Sequence, residues 1–254
     1  MYKRKLSVVI PVYNEEDQIY KNLLRMAKMI SSFSDDFEMI AVNDGSTDRT
    51  ESEIIRAANE CSRIIPVGYP VNRGKGGAIK RGVKCACGQY IAFLDADFDL
   101  SPMHLKKFMK KIEETNAVAV IGSKLHKDSK VNYPPARKIL SFGYYIMLKF
   151  LFHLNVKDTQ TGVKLFHAEE LQDVIADVRT CGFAYDIEIL TLISQNGGKI
   201  VEMPVELVFQ RGNGWGRIKL SDITSVFKDT ITVFFNIRRV KRMGVKLENA
   251  RERL

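Results

Sequence analysis

Short apolar runs rich in β-branched residues alternate with stretches of helical period through the first half of the chain. Leu6 to Val12 is one such run, and the acidic stretch opening at Asn14 reads as a cap on a helical segment reaching about Ile30. Phe37 to Val42 is a second strand. It gives way to Asn43-Asp44-Gly45-Ser46-Thr47-Asp48, a turn and N-cap for a helix from about Arg49 to Cys61. Ile64 to Tyr69 is a third strand, followed by a Gly-rich turn that enters a helix over Gly74 to Cys87. Tyr90 to Leu94 is a fourth, stopping at Asp95-Ala96-Asp97; a helix over Pro102 to Glu114 and a strand at Val118 to Ile121 complete the unit. Strands that alternate with helices predict an α/β fold, a Rossmann-like, mostly parallel central sheet flanked by helices. Ligands on such sheets sit at the carboxyl ends of strands. Pro11 to Tyr13, Asp44 and Asp95 to Asp97 all fall there.

Beyond residue 124 the pattern changes. A basic polar loop (Lys124 to Arg137) leads into an apolar helix, 138–154, then Asp158-Thr-Gln-Thr-Gly162 and a short strand, Val163 to Phe166. Helices are expected over Ala168 to Val178 and Tyr185 to Gln195, and a strand over Ile200 to Phe209. A Gly-rich loop and a last amphipathic helix, Ser221 to Val240, precede a highly charged tail. This reads as one domain over 1–220, including helix 138–154, and an extension of amphipathic helix and basic tail over 221–254.

Composition narrows the classes. Of 254 residues, 45% are hydrophobic and 27% charged, which is ordinary for a globular chain and argues against disorder. Thirty-nine Lys and Arg against thirty Asp and Glu leave +9, a surface suited to phosphates or an anionic membrane; no nucleic-acid partner is expected. Ile139 to Leu148, the longest charge-free apolar run of its region, is about half of the ~20 residues a membrane span needs. The start, Met-Tyr-Lys-Arg-Lys, lacks the apolar core of a signal peptide, so a cytoplasmic location is expected. Cys61, Cys85, Cys87 and Cys181 form neither a disulfide framework nor a common zinc spacing.

Asp95 and Asp97, released from a strand into a loop, can hold a hard divalent cation that also grips a diphosphate. Asp99 reads either as a third ligand or as a helix cap. Asp44 suits a turn-forming role with Gly45 at positive φ. The Gly74-Lys75-Gly76-Gly77 turn offers backbone N–H groups and a positive helix end to an anion, or simply permits a bend.

Together, Val8-Val-Ile-Pro-Val-Tyr-Asn-Glu-Glu16, Val42-Asn-Asp-Gly-Ser-Thr-Asp48, Asn72-Arg-Gly-Lys-Gly-Gly77 and Asp95-Ala-Asp97 closely resemble the family 2 glycosyltransferases of GT-A fold. The resemblance implies that Pro11, Tyr13, Glu15 and Asp44 line the base and ribose pocket and that Lys75 and Gly76 adjoin the donor. It also implies that Asp95 and Asp97, with Asp99 as the candidate third ligand, hold Mg²⁺ or Mn²⁺ and the diphosphate. Asn43 departs from the many members that carry a first Asp there. Asp158-Thr-Gln-Thr-Gly-Val-Lys-Leu-Phe166 and Phe183-Ala-Tyr-Asp-Ile-Glu188 add a resemblance to polyprenyl-phosphate glycosyltransferases, the dolichyl-phosphate β-glucosyltransferases first and the mannose synthases second. This implies an inverting transfer from a nucleotide-diphosphate sugar, UDP-glucose or else GDP-mannose, to polyprenyl phosphate at the inner face of a membrane.

A phosphate monoester carries about −1.5 to −2 charge at pH 7 and is already nucleophilic, so the enzyme needs cations to place it rather than a base. Arg137 and Ser141, one helical turn apart, have the spacing at which the mannose synthases place an acceptor-phosphate Arg and Ser. Arg211 and Arg217, in the loop Arg211-Gly-Asn-Gly-Trp-Gly-Arg217, are candidates to close over the phosphates. Asp97, Arg137 and Arg211 form the expected catalytic set. The apolar faces of 138–154 and 221–242 suit a bilayer interface; a buried face or a homodimer interface is the alternative. Trp215 reads as an interfacial anchor or a lid contact. The competing function is transfer to a glycan hydroxyl in cell-surface polysaccharide synthesis with Asp186 or Glu188 as base, of which at most one can face the site. A nucleotidyltransferase and a non-catalytic membrane scaffold stand further off.

Overall fold

A computed structural model describes residues 2–131, 135–182, 184–207 and 228–238; between 135 and 142 the description is of the backbone. The chain runs β1 (Arg4–Val12), α1 (Ile19–Ser31), β2 (Phe37–Asp44), α2 (Thr50–Glu60), β3 (Ile64–Tyr69), α3 (Lys75–Cys85), β4 (Gly88–Phe93) and α4 (Met103–Thr115). It continues with β5 (Ala119–Ser123), α5 (Pro135–Phe152), β6 (Lys164–His167), α6 (Ala168–Ile175), α7 (Tyr185–Gln195) and β7 (Ile200–Pro204). A further helix, α8, spans 228–238.

Seven strands form one sheet in the order β3-β2-β1-β4-β6-β5-β7. Only β6 is antiparallel to its neighbours, β4 and β5. Every position of β2 is buried, as expected of a central parallel strand covered on both faces. One face packs on α1, α2 and α4 through residues such as Leu23, Ile54 and Phe108. The other packs on α3, α5, α6, α7 and α8 through Ile79, Leu148, Leu171, Ile189 and Val233. The mostly parallel, doubly wound α/β sheet read from the sequence is therefore present.

Several boundaries differ from expectation, α6 among them, which ends at Ile175 rather than Val178. The acidic stretch at Asn14 does not cap α1, which starts at Ile19. Asn14 takes a positive φ of 51°, donates its N–H to Ser46 Oγ at 3.0 Å and accepts the Thr47 N–H at 2.9 Å. Glu15 N–H reaches Thr50 Oγ1 at 2.7 Å, and Glu16 accepts the Arg49 N–H at 3.0 Å. These residues bind the β1–α1 loop to the β2–α2 loop instead. Helix α5 spans Pro135–Phe152 rather than 138–154, and His153 at φ 52° ends it. Strand β7 stops at Pro204; Glu206 and Leu207 then make single bridges to Lys130 and Leu100. The predicted domain boundary at 220 and the tail from 239 lie outside the described residues.

The antiparallel β6 decides where the site can form. Its residues pair Phe93 with Lys164, so the amino end of β6 meets the carboxyl end of β4. Gly162 and Lys164 thereby arrive beside Asp95, though more than sixty positions separate them in sequence.

Candidate active site

At the carboxyl ends of β1, β2 and β4 lies a cleft of about 530 Å³. Pro11, Tyr13, Glu15, Asp44, Lys75, Asp95 and Asp97, all anticipated from sequence, line it. Tyr13 is 47% exposed at the mouth, an open aromatic face on which a nucleobase can stack.

Asp44 is buried and organises the adjoining loop. Its Oδ1 accepts Tyr69 O–H at 2.5 Å and Arg73 N–H at 2.9 Å, and its Oδ2 accepts Asn72 Nδ2–H at 3.1 Å. Burial first, and then this bond to Asp44, push the Tyr69 phenol well above its ordinary pKa, which keeps it a donor. Asn43, the departure from the family pattern, accepts the Ser46 N–H at 3.1 Å and holds the turn with its amide oxygen. Gly45, at φ +66°, lies so close to the Asn72 backbone that a Cβ would collide.

The Gly74–Gly77 turn serves packing. Gly76 N–H donates to Cys181 O at 2.8 Å, and a Cβ on Gly76 would stand 2.8 Å from Thr180 O. Gly74 N–H turns to Asn72 Oδ1 at 3.2 Å. Of the two readings of this turn, anion cradle or close bend, these contacts favour the second for Gly74 and Gly76: they let the 180–182 segment pass close by, and Gly76 N–H already has its partner. What the turn offers the cleft is the Lys75 ammonium.

That ammonium sits 2.5 Å from Asp95 Oδ1, the two side chains 25% and 31% exposed. Burial alone would raise the Asp95 pKa, but Lys75 outweighs it and the carboxyl stays below the usual range. Gly162 packs against the other oxygen, where a Cβ would fall under 3.0 Å from Asp95 Oδ2. The 158–162 loop owes its shape to Asp158, which accepts Lys124 N–H at 2.8 Å and the Thr161 hydroxyl at 2.6 Å. Asn22 Nδ2–H bonds Ala96 O at 2.8 Å and steadies the Asp95–Asp97 loop from the opposite side. Asp97 Oδ1 accepts Asp99 N–H at 3.1 Å in a tight turn that forces Phe98 to φ 65°, with Arg25 stacked 4.2 Å above the Phe98 ring. Asp99 lines a neighbouring recess with Phe98 and His104.

Asp95 and Asp97 fit a hard divalent ion. Both line the cleft, and the Lys75 ammonium already marks the cation position on Asp95. Among the described residues no three acidic, His or Cys side chains gather into a closed metal cage. The remaining ligands of a six-coordinate ion would come from a diphosphate and water, as is usual for magnesium.

Behind Asp95 lies a second pair. Lys164 Nζ is 2.9 Å from Asp186 Oδ1, with side chains 1% and 7% exposed, and donates to Thr161 O at 2.5 Å. Burial pushes the Asp186 pKa up and the Lys164 pKa down, while each opposes the shift of the other. Glu188 accepts the N–H groups of Arg179 and Thr180 at 3.1 and 2.8 Å. Among the described residues, neither acid of α7 lines the cleft. Lys164 and Gly162 were not anticipated as site residues; a lysine inside the apolar strand Val163-Lys-Leu-Phe166 was the signal available.

The backbone of Arg137 and Ser141 is helical within α5, and their side chains lie outside the description. Arg211, Trp215 and Arg217 lie outside the described residues altogether.

The chain resembles known proteins along most of its length. A dolichyl-phosphate beta-glucosyltransferase of Trichomonas vaginalis is 32% identical over 240 residues, 90% of this chain and 72% of that one. Enzymes of the same name from Dictyostelium discoideum and Saccharomyces cerevisiae are 34% and 30% identical, each over 79% of this chain and 65% and 66% of their own. Glucosyl-3-phosphoglycerate synthase of Mycobacterium tuberculosis, solved with Mn²⁺, UDP and glucosyl-3-phosphoglycerate, shares the fold at TM-score 0.67 and 20% identity over 91% of this chain and 78% of that one. Residues 7–175 match the Glycosyl transferase family 2 pattern. With its cleft, its paired aspartates and its GT-A sheet, the chain belongs to glycosyl transferase family 2, and it is a glycosyltransferase.

Proposed function

We propose that this enzyme transfers glucose from UDP-glucose to a polyprenyl phosphate of the dolichyl type, with inversion at the anomeric carbon. Relatives named dolichyl-phosphate beta-glucosyltransferase, at 30–34% identity, support glucose as the sugar and dolichyl phosphate as the acceptor class. The single observation that carries the acceptor is the placement of the α7 acids. Asp186 is paired with Lys164 and Glu188 with two backbone N–H groups, so neither stands in the cleft to deprotonate a sugar hydroxyl. A phosphate acceptor needs no such base.

In this reading Tyr13, Glu15 and Asp44 line the nucleoside end of the cleft, and Asp95 and Asp97 hold Mg²⁺ or Mn²⁺ against the diphosphate. The bound ion supplies charge neutralisation to the leaving UDP. Lys75 leaves Asp95 for the diphosphate as donor enters. Arg137 and Ser141 on α5, with Arg211 and Arg217, receive the lipid phosphate, one of whose oxygens attacks the anomeric carbon as its bond to UDP breaks. A peripheral position at a membrane accords with α5 and α8, joined by the Tyr144–Thr230 hydrogen bond at 2.8 Å and by Phe152 against Phe234. Together they expose Ile146, Phe150, Ile231 and Phe235. No described helix is long and apolar enough to cross a membrane.

Incubation of the purified protein with polyprenyl phosphate, Mn²⁺ and a panel of nucleotide sugars tests the proposal. The expected product, identified by mass, is a hexosyl phospholipid formed from UDP-glucose in preference to GDP-mannose. A sugar appearing on glycan acceptors and never on the lipid phosphate would overturn it.

A further inference from the structure

Asp186 and Lys164 are the most deeply buried opposite charges near the cleft, and the transfer just described gives neither a task. Lys164 faces Phe93 across the β4–β6 ladder, two residues before Asp95. Its ammonium touches the Thr161 carbonyl, part of the same peptide unit that delivers Gly162 onto Asp95 Oδ2. Two carboxylates act on this ammonium from either side, Asp186 more strongly and Asp95 less. Lys75 already occupies Asp95 Oδ1. The four charges form two pairs in contact, one at the cleft and one behind it, and Asp186 also acts across them on Lys75.

We propose that Asp186 is a positioning residue: its carboxylate keeps the buried Lys164 ammonium on the Thr161 carbonyl and away from Asp95, leaving Asp95 to a divalent cation. A buried ammonium stripped of its partner cannot reach water and turns to whatever negative charge remains within reach. With Asp186 neutral, that charge is Asp95. A second ammonium on Asp95 then competes with the metal from the protein side. Glu188, two residues along α7, takes no part, because its carboxylate is fixed on the 179–180 backbone. The inference rests on the metal reading of Asp95 and Asp97 and assigns an indirect role to a residue otherwise read as a base.

The test is Mn²⁺ binding by calorimetry, with UDP present, on the full-length wild type, Asp186→Asn and the double variant Asp186→Asn with Lys164→Met. One uncompensated charge near Asp95 is expected to weaken Mn²⁺ binding about tenfold in Asp186→Asn. The double variant, which removes the stray ammonium, is expected to return to within about threefold of wild type. The pH–rate profile of Asp186→Asn should keep the ascending limb of the wild type. Unchanged Mn²⁺ affinity in Asp186→Asn, with transfer lost and the ascending limb gone, would overturn the assignment and make Asp186 a base. Should Asp186→Asn fail to fold, the double variant decides. Near-normal Mn²⁺ binding with measurable transfer supports the proposal, and loss of both overturns it. A wild type that takes up no Mn²⁺ would overturn the metal reading together with this one, whereas a binding wild type with an unmoved Asp186→Asn overturns this one alone.

Discussion

Replacing Asp97 by Ala is expected to reduce glucosyl transfer on the order of a thousandfold, the several kcal/mol that a metal contributes to a leaving diphosphate. The reason lies in how few donors the site has. Of the two cleft carboxylates that directly follow β4, Asp95 shares its charge with Lys75, so the ion depends heavily on Asp97. Removing it leaves one carboxylate against a competing ammonium. The fold should survive, because Asp97 is half-buried in a loop, and its hydrogen bond to the Asp99 N–H contributes about 1 kcal/mol. Steady-state kinetics on UDP-glucose and polyprenyl phosphate, beside a melting curve, separate the two effects. Activity within about tenfold of wild type would contradict the metal role, since it leaves less than about 1.4 kcal/mol for the lost ligand.

The second large effect is expected at a residue with no side chain. In Gly162→Ala the new Cβ would fall under 3.0 Å from Asp95 Oδ2, so either the carboxylate or the 158–162 loop must move. The loop is tied by Asp158 to Lys124 and Thr161, and by Lys164 to Asp186, so Asp95 is the part that gives way. A shift near 1 Å in a group that orients the donor costs about a hundredfold in kcat/KM, and overpacking of this kind lowers stability by about 1–3 kcal/mol. Gly162 does not occupy the left-handed region, so backbone strain contributes nothing and the effect is steric. A melting temperature lowered by several degrees, with the fold retained and kcat/KM down about a hundredfold, is the expected pattern. Full activity would mean that Asp95 does not hold the donor from its present position.

These two residues show where sequence reading succeeds and where it stops. Asp97 was legible because a buried parallel strand is a short apolar run, and the first polar residues after it mark the edge at which ligands bind. Tyr13 and Asp44 were legible on the same ground, and Lys75 from the Gly-rich turn that enters α3. Gly162 and Lys164 were not, because they reach Asp95 through the antiparallel insertion of β6 between β4 and β5, a pairing between distant segments that no local period encodes. The glycines at 74–77 were left with two readings for a related reason. Their spacing announces that something approaches the backbone closely, and cannot say whether it is a ligand or, as here, the carbonyls of Thr180 and Cys181. Asn14 misled because its amide serves a neighbouring loop as readily as a helix end. The acids of α7 were rightly limited by helix geometry to at most one facing the site; burial and pairing reduce that to none among the described residues.

The central claim is that Asp95 and Asp97 jointly bind a divalent ion that grips the donor diphosphate. Crystals soaked with Mn²⁺ and UDP, read by anomalous scattering, test it most directly. One manganese peak is expected at the end of β4, beside both aspartates and the diphosphate, with Lys75 moved off Asp95. A manganese peak elsewhere, or UDP bound in the cleft with Lys75 still seated on Asp95 and no metal beside it, would contradict the account.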